Sequence, residues 1–240
     1  MCLRPALAFL LLLGLVAGCV QEESVETQDI VSAIPWPDQE RAEYVLLDRD
    51  GEEEMGRGVL SVRRQDDRFE LELRFEGRGD VDESVVLVDA ATLKPLSIRR
   101  ERRNDQTEVV EGEYDAEEGI VEITEISGDG EEQLVPLRLE EHYYENESSL
   151  FLWRTIDFED GYKASYHSVL SNFRQNNLVT LEVVEREEVT VPAGTFDAWR
   201  VEIRSGAVEQ VAWYADTPER TLIQYDNTRQ VFQLTETPSD

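Results

Sequence analysis

The chain has 240 residues, with 53 acidic and 23 Lys or Arg side chains, giving a formal net charge of −30. Such a surface repels phosphate backbones and anionic headgroups, which argues against a nucleic-acid partner. Its two cysteines, Cys2 and Cys19, both fall within the first twenty residues, so the remainder carries neither a disulfide nor a thiolate metal site.

The first twenty residues, MCLRPALAFLLLLGLVAGCV, place one cation, Arg4, before an apolar run from Ala6 to Val16. That run is shorter than the roughly 20 apolar residues of a spanning helix and reads as an export signal over residues 1–18. Leu15-Val16-Ala17-Gly18-Cys19 resembles the bacterial lipobox, in which cleavage leaves a diacylglyceryl cysteine at the mature N-terminus. The resemblance implies lipidation of Cys19 and an envelope protein facing the periplasm or the cell exterior. An ordinary secretory signal ending near a cysteine is the alternative. Acyl chains contribute about 0.8 kcal/mol per buried methylene, so two or three of them anchor a domain firmly. The membrane is then contacted through lipid.

Residues 19–42 are polar and acidic, with Pro35 and Pro37 flanking Trp36, and read as a flexible tether. Residues 43–238 then form one domain. Among its basic residues stand only two lysines, Lys94 and Lys163. Abundant acid with little lysine fits adaptation to salt, where screening relieves self-repulsion, and equally a genome rich in arginine codons.

Period-two patterning dominates from there. RFELELRF at 68–75 sets Phe69, Leu71, Leu73 and Phe75 on one face and charges on the other, as in a half-buried antiparallel strand. Similar segments occur at 43–49, 56–64, 83–89, 95–103, 106–114, 119–127, 132–140, 164–173, 178–187, 197–204, 208–215, 220–226 and 230–236. Turn residues such as Asp50-Gly51, Asn104-Asp105 and Pro192 to Gly194 separate them. One segment differs: Ser148 and Ser149 can cap a short helix near 148–156. The expectation is an all-β, mainly antiparallel meander whose apolar face curls into a barrel or half-barrel. Its interior is either filled by side chains or open.

Candidate chemistry is sparse. There is no Gly-x-Ser-x-Gly elbow, and the two histidines, His142 and His167, lie on isolated stretches, so the chain reads as non-enzymatic. With 53 carboxylates, an acid pair can always be imagined and carries no information. The stretches 48–54 and 127–132 resemble fragments of calcium loops but lack the ligand spacing of one, and Asp-Gly hairpin turns explain them; no metal or cofactor is expected. The aromatic residues of the C-terminal half are more suggestive. Trp153, Trp199 and Trp213 either pack in the core or line a groove for an apolar ligand.

EEVTVPAGTFDAWRVEI at 187–203 and VAWYADTPERTLIQYD at 211–226 resemble the C-terminal elements of the family called domain of unknown function 3108, exported bacterial proteins. VLVDAATLKPLSIRRERR at 86–103 and MGRGVLSV at 55–62 resemble its earlier elements. The resemblance implies an antiparallel β fold related to the half-barrels of LolA/LolB-like carriers, and no defined activity. Two functions follow as expectations: binding of a hydrophobic ligand or envelope component in the curved sheet, or docking of a protein partner without a pocket. An open interior would favour the first, a packed one the second.

Overall fold

The computed structural model describes residues 25–238. The signal segment and Cys19 lie outside the described residues. Fifteen strands make one sheet. The first eight form a meander: β1 (Gln39–Asp48), β2 (Glu54–Gln65), β3 (Arg68–Gly77), β4 (Asp80–Asp89), β5 (Pro95–Arg103), β6 (Thr107–Asp115), β7 (Ile120–Ile126) and β8 (Glu132–Arg138). β9 (Tyr143–Glu145) leads into a one-turn helix, α1 (Ser149–Leu152), flanked by 3-10 turns at Asn146–Ser148 and Trp153–Thr155. Then come β10 (Lys163–Leu170), a 3-10 turn at Ser171–Phe173, β11 (Gln175–Val191), β12 (Gly194–Ser205), β13 (Val208–Ala215), β14 (Leu222–Asp226) and β15 (Gln230–Leu234).

The strand order is β8-β7-β6-β5-β4-β3-β2-β1-β15-β14-β13-β12-β11-β10-β9, with β1 paired antiparallel to β15. Every neighbouring pair is antiparallel except β9 with β10. The alternation seen in the sequence is what builds this: in β3 Phe69, Leu71 and Leu73 are buried while Glu70, Glu72 and Arg74 alternate with them. The sheet stays open, its free edges being β8 and β9, yet it curls strongly. Val121 and Ile123 of β7 pack with Val169 of β10, strands from opposite ends of the order. The expected curved all-β half-barrel with one short helix is therefore what the chain forms.

The concave face is covered by the chain itself. Leu150, Phe151, Leu152, Trp153 and Ile156, from α1 and its flanking turns, are all buried against the inner face. The N-terminal segment completes the cover, and here the tether expectation needs correction. Thr27 bridges Ser165 of β10, Gln28 N–H donates to Ser165 O at 2.8 Å, and Ser32 and Ala33 N–H donate to Thr155 O at 2.9 and 3.2 Å. Ile30 and Trp36 are buried, Trp36 edge-on to Phe69 and Phe151, and β1 begins at Gln39. Polar composition masked this strap because two large apolar side chains suffice to seat it with the backbone hydrogen bonds, even though Trp36 Nε1 is buried without a partner.

A candidate binding face around the 216–221 loop

β11 and β12 join through Pro192 and Ala193, with Val191 paired to Gly194. Proline presets φ for the first turn position, and Gly194 takes φ +136, a value that side chains rarely adopt. The corner is fixed against β15 by Ala193 N–H donating to Leu234 O at 3.0 Å. Beyond it, Phe196 and Trp199 are three residues apart on an extended strand and so point to opposite faces. Each lines a different cleft.

The two clefts flank the loop between β13 and β14. The Trp199 cleft, about 450 Å³, is walled by Ile34 and Pro35 of the strap, Phe158, Pro218 and Arg220. The Phe196 cleft, about 240 Å³, is walled by Pro37, Ile223, Leu234 and Pro238, with buried Glu40 at one side. Ala215 and Thr217 belong to both. The neighbouring segments 187–203 and 211–226 thus share one face with the strap.

Polar contacts hold this face in shape. Trp199 Nε1–H donates to Asp216 Oδ1 at 2.9 Å, and Arg186 Nη1 donates to Asp216 Oδ2 at 2.9 Å while its guanidinium lies over the Trp199 ring at 4.8 Å. The hydrogen bonds from Arg186 and Trp199 hold the Asp216 carboxyl below its ordinary range. Arg220, at φ +49, donates from Nη1 to Ile156 O at 2.6 Å and lies over Phe158 at 4.7 Å. Burial pushes its guanidinium pKa down, against the pull of Asp157 and Asp216.

A buried ion pair anchors the loop from beneath. Arg154 donates from Nη1 and Nη2 to the two carboxylate oxygens of Glu40, at 2.6 and 3.0 Å. It also donates from Nε to Arg220 O at 3.0 Å and from Nη2 to Glu219 O at 2.7 Å. The two side chains are 4% and 7% exposed. Arg154 thereby ties the helical segment, β1 and the 216–221 loop together.

The three tryptophans singled out in the sequence are not brought together. Trp153 is core: its Nε1–H donates to Tyr166 Oη at 2.9 Å and its ring packs on Tyr225. Trp199 pairs across the sheet with Tyr214, so Trp213, one residue along β13, points to the opposite face, where its Nε1–H donates to Glu187. Only Trp199 belongs to a cleft. The two histidines are neighbours, His167 N–H donating to His142 O at 3.1 Å, but their rings bond apart: His142 Nδ1 is 3.2 Å from Thr27 Oγ1, and His167 Nδ1 is 2.7 Å from Glu141 O. In the 48–54 turn, Asp48 Oδ1 accepts the Glu52 and Glu53 N–H groups at 2.8 and 3.2 Å and so closes the hairpin loop. Phe158, Asp216 and Arg220 are the site residues that local pattern did not single out.

The family model described as "Protein of unknown function (DUF3108)" matches residues 45–231, which include both cleft-forming segments. Among solved structures, the chain is similar to a Bacteroides fragilis protein described as a candidate exported protein with a YmcC-like fold, at 13% identity and a TM-score of 0.31, over 88% of this chain and 100% of that one. None of the curated proteins matches.

Proposed function

We propose that this chain, which belongs to the DUF3108 family of proteins of unknown function, is an exported, non-enzymatic lipoprotein that docks an apolar segment of an envelope protein on the 216–221 face. The observation that carries this reading is the covered interior. Trp36, Phe151, Trp153 and Ile156 occupy the concave side of the sheet, while the two clefts, one mainly apolar and one of mixed polarity, lie at the exposed 216–221 loop. A carrier of the half-barrel kind would keep that concave side for its cargo. Two adjacent clefts separated by a loop suit instead an extended segment that inserts a side chain on either side of Thr217.

Attachment rests on the lipobox. Replacing Cys19 by Ser should abolish labelling by a fatty-acid probe and release the chain from membranes; labelling that persists would refute lipidation at this position. Docking is tested with a photoreactive residue in place of the exposed Thr217 in intact cells, against the same residue at exposed Glu209 on the far side of β13. A discrete protein adduct is expected at 217 and not at 209, lost when Phe196→Asp alters the wall of the cleft it lines. Adducts that organic solvent extracts as lipid, or native mass spectra of the full chain with stoichiometric lipid beyond the covalent acyl groups, would overturn docking in favour of cargo binding.

A further inference from the structure

The free edges of the sheet meet along a seam that is built differently from the rest of the wall. Elsewhere adjacent strands are held by backbone ladders. Here, among the described residues, β9 and the turn after β10 face β4 to β8 through side chains. Glu145, 1% exposed, accepts at Oε2 from Ser171 Oγ at 2.7 Å and from Tyr114 Oη of β6. Glu147 accepts from Arg100 Nη1 of β5 at 3.2 Å and from Ser84 Oγ of β4 at 3.5 Å. Arg100 in turn holds Asp82 of β4 by two bonds, at 2.8 and 2.6 Å. Tyr143 stacks flat on Tyr114 with ring centres 6.0 Å apart. Asn176 Nδ2 reaches Arg138 O of β8 at 2.8 Å.

Charges do not balance in this cluster. Asp82, Glu145 and Glu147 share one guanidinium, that of Arg100. The other cations nearby are committed elsewhere: Arg174 to Glu125 of β7, and Lys94 to Asp29 of the strap while its Nζ also donates to Tyr143 O. Glu145 is fully buried while the Glu147 and Asp82 side chains keep 16% and 27% of their surface, so a proton on the buried member relieves the like-charge crowding around one cation. Burial pushes the Glu145 carboxyl up to about 7, against the hydrogen bonds from Tyr114 and Ser171, with Glu147 adding to the rise; burial likewise pushes Glu147 up, against Arg100. The cluster therefore changes charge near neutrality, where β9 is held to the opposite arm.

We infer that the β9 edge is a gate in the half-barrel wall, held shut by a proton bound in the Asp82–Arg100–Glu147–Glu145 cluster and loosened when that proton leaves. This inference stands apart from docking at the 216–221 loop. Opening the seam would expose the inner face of β6 and β7 without breaking a strand ladder, whereas opening at any other pair of strands would break one.

The test is thiol accessibility in the full chain. Val169 is fully buried, packs on Val121 and Ile123 across the seam, and pairs in register with Glu145. In Val169→Cys, the labelling rate by a thiol reagent is compared at pH 6 and pH 8.5. The parent chain supplies the background, and the exposed Leu178→Cys supplies the correction for thiolate fraction. The corrected rate should rise at least tenfold with pH and stay flat when Glu145→Gln is added. Ala212→Cys, buried in the middle of β13 away from the seam, should remain protected throughout. No rise in Val169→Cys, the same rise with Glu145→Gln, or an equal rise in Ala212→Cys would overturn the gate. Val121→Cys, buried on the opposite arm, serves as a second reporter with the same criteria should Val169→Cys fail to fold.

Discussion

Replacing Arg154 with Met separates the two roles of the buried ion pair. The substitution leaves the Glu40 carboxylate buried without its partner and takes the donor from Glu219 O and Arg220 O. Breaking a buried pair from one side costs about 3–5 kcal/mol, because the orphaned charge keeps its desolvation penalty. For a domain of this size each kcal/mol lowers Tm by about 2–4 °C, so the full chain should melt roughly 10 °C lower. The double replacement of Arg154 and Glu40 by Met removes the orphan and should recover most of the loss. A residue of about 1 kcal/mol remains for the two loop carbonyls and the guanidinium over Trp36, which lies 5.2 Å from the ring centre. Urea and thermal melts of the parent, the two single variants and the double variant measure this as a cycle. Additive losses in the double variant, or a cost under about 1 kcal/mol for Arg154→Met, would refute the ion pair as the anchor of the loop.

Glu145→Gln should alter the pH dependence of stability in a defined window. The folded pKa of Glu145 lies above its ordinary 4.5, at about 7, so its contribution is most favourable below 4.5, falls as pH rises from 4.5 to 7, and is flat above. At about 1.4 kcal/mol per unit the variant should gain up to about 3 kcal/mol over the parent at pH 8.5 and nothing at pH 4.5; urea melts with parallel pH profiles would contradict this. Gly56→Ala should destabilise severely, since its Cβ would lie 2.3 Å from Glu76 O, a backbone atom that cannot rotate away. Gly51→Ala, with open space but φ +74, should cost only about 1 kcal/mol by the same melts. If the two glycine variants melt alike, the close approach of β2 and β3 is not the constraint.

Most of the fold is legible because its strands advertise a face: RFELELRF could bury Phe69, Leu71 and Leu73 in only one way. β9 was not legible, since three residues show no period and its parallel pairing with β10 is set by the helical segment that follows it. The long β11 keeps its ladder with β12 through the charged run Glu185-Arg186-Glu187-Glu188 and continues past its expected end at 187 to Val191. Of the site, Trp199 could be suspected and Phe158, Asp216 and Arg220 could not, since they sit in connections whose shape is set by Arg154 from below. Glu145 and Glu147 were hidden among 53 carboxylates. The signal that could have marked them is their setting between Tyr143-Tyr144 and the apolar run Leu150 to Trp153.

Magnitudes weigh against an interior binding site. A cargo seated on the concave face would have to displace Leu150, Phe151, Leu152, Trp153 and Ile156, each worth about 1.5–3 kcal/mol of burial, on the order of 10 kcal/mol together and an upper estimate at that. That is comparable with the whole stability of an ordinary domain, about 5–15 kcal/mol, so reversible loading by ejecting the helical segment amounts to unfolding. Loosening the seam is the smaller event. It leaves those five side chains in place and separates Val169 from Val121 and Ile123, together with the side-chain hydrogen bonds at Glu145, Glu147 and Asn176, some of them around carboxylates that repel one another once ionised. The two proposals are therefore compatible: a pH response along one edge and binding at the 216–221 loop both leave the helical segment seated.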